Sequence, residues 1–371
     1  MQASEASNLT AQVLWAVFLL ALLYGAIAER SHFCTMGAVA DVVNFGDWRR
    51  LHMWALAAGV VTIGFNLMVA AGWVSADKTL YGGSRWQWAS ALVGGALFGF
   101  GMVLASGCGS KNLVRLGGGN LKALVVLLVM GLSAWMTLRG LTAMWRVETV
   151  DRWAVSLPGS QDLPSLIAAG YGGSTPDVAL VVGTVVGTAL LAWALWARPG
   201  RDAGLLLGGI GIGAVVLAVW WVSGRFGHLA EHPETLEEAF LGTASRRMEA
   251  LSFVTPVAQG LEWLIFYSDQ GRRLSTGVVA VCGLVAGSWL VNIRQKSFRW
   301  EGFGDSADTA RHLIGATMMG IGGVTAMGCT IGQGLSGLST LGLTSLVAVA
   351  AIIAGAVAGL RFLNWQLERA A

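Results

Sequence analysis

The sequence predicts an all-α polytopic membrane protein of about nine transmembrane helices plus short inserted (re-entrant) helices, built from two pseudo-symmetric repeats. Three observations predict it. Of 371 residues, 55% are hydrophobic and 12% charged, with a mean hydropathy of +0.63, whereas an ordinary soluble domain is about 25% charged. Apolar runs of about 18 residues or more recur along the chain, each long enough for a hydrocarbon core roughly 30 Å thick. A glycine-rich stretch ending in a cysteine occurs twice.

The apolar runs cover 11–28, 51–73, 88–107, 122–142, 177–197, 203–223, 274–293, 311–328 and 342–363. The first follows "MQASEASNLT", which has no basic residue, and leads into Arg30. A cleaved signal would show a basic start and a small-residue cleavage site, so the run is expected to stay as a helix. Trp48, Trp73, Trp86, Trp88, Trp145 and Trp153 sit beside loops, as an interfacial aromatic belt requires. With the N-terminus outside, Arg30, Arg49, Arg50, Arg198 and Arg201 fall inside and Lys78, Arg85, Arg146 and Arg152 outside. That bias is too small to orient the chain. A net charge of +3 calls for no nucleic acid, and the lipid bilayer is the partner that the composition demands.

The whole chain, 1–371, reads as a single membrane domain. Its first repeat half is 1–145, a polar connection fills 146–176, and the second half is 177–371. "LPGSQDLPS" and "YGGSTPD" give the connection its turns. "HLAEHPETLEEAFLGTASRRMEA" is too charged to span and is expected to be a loop with an interfacial amphipathic helix. "LSFVTPVAQGLEWLIFY" beyond it reads as a shorter or re-entrant segment, broken at Pro256.

A shift of 221 residues lays "LVGGALFGFGMVLASGC" (92–108) on "LIGATMMGIGGVTAMGC" (313–329), with eight of 17 positions identical, including Cys108 and Cys329. Duplicated halves are the common build of secondary transporters, whose substrate site lies at the repeat interface. Unpaired backbone groups cost several kcal/mol in lipid, so a broken helix persists only inside protein or beside a wet cavity. A break at Gly107, Cys108 and Gly109, and its counterpart at Gly328, Cys329 and Thr330, frees amide N–H groups at the start of the next short helix. Those groups and the helix dipole make an anion site.

The thiols narrow the anion. A hard oxyanion is well held by hydroxyls, backbone amides and arginine; a thiol is a weak donor and a soft, polarisable group. It suits an anion that itself exposes soft sulfur. Cys34, in "ERSHFCTMGAVADV", lies past the first apolar run before small residues that can open another short helix. Lys111, Arg115 and Gln333 beside the breaks are candidate substrate contacts, the two cations as an anion-attracting mouth. Arg30 and His32 read as interfacial anchors. Cys282, well inside an apolar run, reads as a small core residue. The four cysteines are too scattered for a zinc or redox motif, and no metal, cofactor or catalytic residue is expected.

"RSHFC", "GFGMVLASGCGSKNLVRLGGG", "RQKSFRWEGF" and "GIGGVTAMGCTIGQGLSGLS" resemble the YeeE/YedE family of bacterial membrane proteins. The resemblance spans most of the chain. It implies a multi-pass protein of the bacterial inner (plasma) membrane that takes up thiosulfate, some members serving selenium metabolism. It also implies three central cysteines that pass the anion along by S–H hydrogen bonds; on this chain these fall on Cys34, Cys108 and Cys329. Relatives suggest a small cytoplasmic sulfurtransferase as partner. Lys111 and Asn112 stand where the second motif has Gly332 and Gln333, a departure between the two motifs. The expected function is therefore uptake of thiosulfate or a closely related sulfur anion, not an enzymatic reaction. The alternatives are a membrane sulfurtransferase forming a cysteine persulfide, a carrier for a selenium compound, and soft-metal efflux, which lacks carboxylate or histidine partners within the helices.

Overall fold

A computed structural model describes residues 3–196, 202–269, 271 and 274–370; Arg198 and Arg201 lie outside these. The chain forms fourteen α-helices among the described residues: α1 (Ala3–Ser31), α2 (Thr35–Phe45), α3 (Arg49–Ala70), α4 (Trp88–Leu104), α5 (Gly109–Gly117), α6 (Leu121–Arg139), α7 (Leu141–Glu148), α8 (Leu163–Tyr171), α9 (Thr175–Trp196), α10 (Ala203–Trp221), α11 (Thr255–Ile265), α12 (Thr276–Arg294), α13 (Ser306–Thr325) and α14 (Leu343–Ala370). Among the described residues, eight helical spans are long and apolar enough to cross a membrane. The ninth expected run, 311–328, falls on α13. Its glycines 315, 320, 322 and 323, with Arg311 and His312 at its start, lower its hydropathy.

Long neighbours pack closely because glycines remove the side chain where they cross. α1 lies along α12 and α10, α3 along α9 and α10, α4 between α13 and α14, and α6 against α13 and α11. At the α1–α12 crossing, a Cβ on Gly25 would overlap Leu284 O and one on Gly287 would overlap Leu22 O. At the α4–α14 crossing, Gly99 faces Ile352 O and Gly355 faces Ala96 O in the same way. Small residues that let backbones approach are the usual basis of helix association in lipid.

The ends of α6 separate the two faces of the bundle. Near its start Lys122 pairs with Asp308 at 2.9 Å, and at its end Arg139 pairs with Glu262 at 3.5 Å. Five helices that begin near a face take polar N-caps. Asn120, Asp162, Asp202, Ser275 and Asp305 each accept a hydrogen bond from a first-turn amide, the ordinary way to satisfy orphan N–H groups.

The amphipathic helix expected in 228–250 does not form. Pro233 and the left-handed Gly242 (φ 75°) interrupt the segment. A short hairpin pairs His228–Leu229 with Ala239–Phe240. Glu238 ties it down, accepting from Lys78 Nζ at 2.5 Å and contacting His228 Nε2 at 2.6 Å. The lysine, then the histidine, hold this carboxyl below its ordinary range. A depressed carboxyl stabilises the folded form above its unfolded pKa, about 4.3, and that stabilisation is lost as pH falls through the folded value. Amide hydrogen exchange in 228–240, corrected for its intrinsic pH dependence, should therefore quicken on acidification below about pH 4. Glu238→Gln should show the same quickening at neutral pH; unchanged exchange in that variant would mean the ion pair does not hold the hairpin.

Candidate functional site

Three short helical segments start at a cysteine in the middle of the bundle. Each follows the same local structure. His32, Ser106 and Met327, two residues before Cys34, Cys108 and Cys329, adopt left-handed φ values of 52°, 55° and 59°. Phe33, Gly107 and Gly328 then donate to the carbonyls of Ala28, Met102 and Gly323, and the left-handed residues to those of Glu29, Val103 and Val324. This is the Schellman closure of a helix C-terminus, in which a left-handed residue lets two amides reach back to orphan carbonyls. Glycine usually takes that place, as Gly46 does at the end of α2 with φ 67°. The helix breaks between Leu104 and Gly109, at the expected Gly107, Cys108 and Gly109, and the left-handed residues that close it are Ser106 and, in the second motif, Met327.

After each turn the cysteine heads the next helical segment: Cys34 and Cys108 are the N-caps of α2 and α5, and Cys329 opens the turn that leads into Gly332–Gly337. The carbonyls of Cys34, Cys108 and Cys329 accept from Ala38, Asn112 and Gln333 at 3.0, 3.0 and 2.8 Å. Cys34 Sγ accepts from Gly37 N at 3.3 Å and Cys329 Sγ from Gly332 N at 3.4 Å. Lys111 N, in the same position, is a looser neighbour of Cys108 Sγ, which instead meets Ser110 Oγ at 3.3 Å. Serine, aspartate and asparagine are the better caps, and this chain uses them near its two faces. Capping alone does not explain cysteine at the three interior starts.

The three thiols come together. Cys34 is 8% exposed, and Cys108 and Cys329 are fully buried. Cys108 is central: Cys34, Ser110 and Thr330 are its neighbours. Cys329 lies toward Ser252, whose Oγ is 4.0 Å from its sulfur, and toward Tyr81. α11 begins at the same place. Its N-cap is Val254, Phe253 neighbours Cys329, and Phe253 O lies beside Gly109. Pro256, expected to mark a break, sits in the first turn of α11, where its missing N–H costs nothing. Four helical segments thus point their N-terminal ends at one buried point. Each end carries roughly half a positive charge, so together they amount to about two.

Lys111, within electrostatic range of Cys34, and Arg115 border a cavity beside the thiols. With Glu29, His32, Asn112 and Arg299 they line this cavity, of about 690 Å³, at the Lys122 face. Arg115 Nη1 donates to Ser106 O at 2.7 Å, bracing the left-handed turn. His32, expected as an interfacial anchor, is thus part of a chain break and of this cavity wall. Asn112 and Gln333 share one arrangement despite their different length. Asn112 Nδ2 donates to the carbonyls of Gly107 and Cys108, and Gln333 Nε2 to Ala326 O at 2.5 Å. Gln333 Oε1 and Thr330 Oγ1 are buried without a partner.

Cys282 is exposed on α12, not buried as expected. The inward face of that helix runs through Ala280, Gly283, Leu284, Gly287 and Val291, and Cys282 falls outside it. Sequence reasoning missed Tyr24, Arg50, Ser110 and Ser252. Arg50, paired with Asp41 at 3.3 Å, places its guanidinium beside Gly37 at the start of α2. In the sequence Arg50 figured only in the charge bias between loops. Tyr24 was one aromatic among many in the first apolar run.

The family model described as sulphur transport matches residues 30–358. A protein named thiosulfate transporter TsuA from Spirochaeta thermophila is 25% identical over 367 residues, covering 96% of this chain and 98% of that protein. Another of the same name from Escherichia coli is 25% identical over 339 residues, covering 84% of each.

Proposed function

Because the chain belongs to the sulphur-transport family, the YeeE/YedE membrane proteins, we propose that it takes up thiosulfate through the point where Cys34, Cys108 and Cys329 meet. One observation carries the reading: three thiols, each at the head of a helical segment, converge where four helix ends supply about two positive charges, the charge of a thiosulfate dianion with opposite sign. No lysine or arginine is needed at that point. The helix ends share the charge while the soft thiols meet the terminal sulfur. Hydrogen bonds to a charged group contribute roughly 1.5–3 kcal/mol each, so a handful offsets much of the cost of leaving water. Binding stays modest, since a site that holds too tightly does not release.

The arrangement supports an order. The anion meets Tyr81 and Ser252 beside Cys329, passes Cys108, and reaches Cys34 and the Lys111–Arg115 cavity. Lys111 and Arg115 attract it at the mouth, and Gly107, Gly109, Gly328 and Thr330 leave its amides and hydroxyl near the path. The packing of α1 on α12 beside α10 on α3, and of α4 on α14 beside α13 on α6, favours two related halves, 1–145 and 177–371, joined through 146–176. The short interior helices are the re-entrant elements of that plan. The named relatives favour the bacterial inner membrane, and the basic cavity suits release toward a small cytoplasmic sulfurtransferase.

Growth tests the substrate. In a strain without other sulfur uptake, this chain should restore growth on thiosulfate as sole sulfur source. Purified protein in liposomes should accumulate thiosulfate labelled in its outer sulfur. Failure of both would overturn the assignment.

A further inference from the structure

Tyr24, on α1, is 1% exposed, and its hydroxyl has no hydrogen-bond partner. Its ring packs on Phe253, with centroids 5.6 Å apart and planes inclined at 51°, so a phenylalanine would fill the same space. The hydroxyl lies among Cys34, Cys108, Cys329 and Ser110. A buried donor left unmade costs about 1–3 kcal/mol, and buried polar groups are nearly always paired. An unmet phenol at the place where three helical segments start beside a cysteine therefore lacks a structural reason. Ser110 lies close enough to act on it, but its Oγ meets Cys108 Sγ at 3.3 Å, and among the described residues no group makes a hydrogen bond of ordinary geometry with the phenol.

The transported anion supplies what is missing. Thiosulfate has two chemically different ends: a terminal sulfur, large and polarisable, and three oxygens that are small and take strong hydrogen bonds. Thiols are weak donors suited to the first, whereas a phenol is a good donor suited to the second. We infer that Tyr24 Oη donates to an oxygen of the sulfur oxyanion while the thiols hold its terminal sulfur, so that Tyr24 fixes which way round the anion lies. This rests on the transport reading above and adds an orienting residue to it. The tyrosine also explains how a path lined by soft groups keeps hold of the oxygen end as the sulfur passes from Cys329 to Cys108.

Tyr24→Phe tests it, since the ring is kept and only the hydroxyl goes. Full-length wild type and variant are compared in liposomes for initial uptake of labelled thiosulfate against concentration, and in detergent for thermal melting with and without thiosulfate. The variant should raise the half-saturation concentration roughly tenfold or more, the loss of one bond to a charged group. Without thiosulfate it should melt at or above the wild-type temperature, because an unmet buried donor has been removed. The rise in melting temperature on adding thiosulfate should shrink. An unchanged half-saturation beside a responsive wild type overturns the orienting role and leaves the transport reading standing. A variant that melts lower without ligand, or fails to accumulate, makes the hydroxyl structural and overturns it as well. A wild type that neither carries thiosulfate nor is stabilised by it overturns both.

Discussion

Cys108→Ala should lower thiosulfate uptake roughly 100-fold, and Cys108→Ser about tenfold, at equal amounts of protein in the membrane. One hydrogen bond to a charged group, worth roughly 1.5–3 kcal/mol, corresponds to a factor of about 10–150, and alanine loses it entirely. Serine keeps a donor, but a harder and more strongly hydrated one that fits a sulfur terminus less well. Neither change should harm the fold. Cys108 caps α5 with its backbone carbonyl, taken by Asn112 N at 3.0 Å, and serine is the better capping side chain. Cys329, whose Sγ accepts from Gly332 N at 3.4 Å ahead of the Gly332–Gly337 turn, should give the same order. A persulfide route predicts a different pattern, with serine and alanine equally inactive, because neither can hold a sulfane sulfur. Cys282→Ala is the control. That thiol is exposed on the outer side of α12, so its removal should leave uptake near wild type. Wild-type rates in all of these variants would remove the thiols from transport.

Gly99→Val and Gly287→Val should each cost the bundle about 3 kcal/mol or more, seen as loss of folded protein in detergent and a much lower melting temperature. Overpacking in a close-packed interior costs typically 1–3 kcal/mol when neighbours can shift. Here the atoms met are backbone carbonyls, Ile352 O for Gly99 and Leu22 O for Gly287, so one whole helix must move away from another. Gly302→Ala, where an added Cβ meets nothing within 4 Å, should be nearly neutral. If Gly99→Val melts like Gly302→Ala, the α4–α14 crossing is looser than the structure shows.

Much of the architecture was legible in the sequence, for a simple reason. A spanning helix must satisfy its backbone internally and face hydrocarbon, so it declares itself as a long apolar run. Breaks were legible too, because the glycines of 92–109 and 313–328 interrupt such runs beside a repeated cysteine. Local chemistry fell short in two places. The left-handed turns lie on Ser106 and Met327, which no local pattern marked, because helix closure, and at Ser106 the Arg115 brace onto its carbonyl, outweigh the cost of a left-handed side chain. The charged stretch after α10 looked amphipathic, but Pro233 and the ion pairs of Glu238 favour a hairpin.

By itself the sequence determined that this chain is a multi-pass α-helical membrane protein, that it twice breaks a helix at a cysteine, and that Cys34 belongs with those two. Only the tertiary structure decided which residues share the buried point. In water a helix shows its inner face by contrast with a polar outer one. In lipid both faces are apolar, so the pattern along α1 and α12 does not say which way a side chain points. Tyr24 could face either way from its run, and it faces the thiols; Cys282 could too, and it faces out. Ser252 and Val254 join the site from a segment more than 70 residues before Cys329. That meeting is set by glycine-lined helix crossings and the start of α11, which no local pattern encodes.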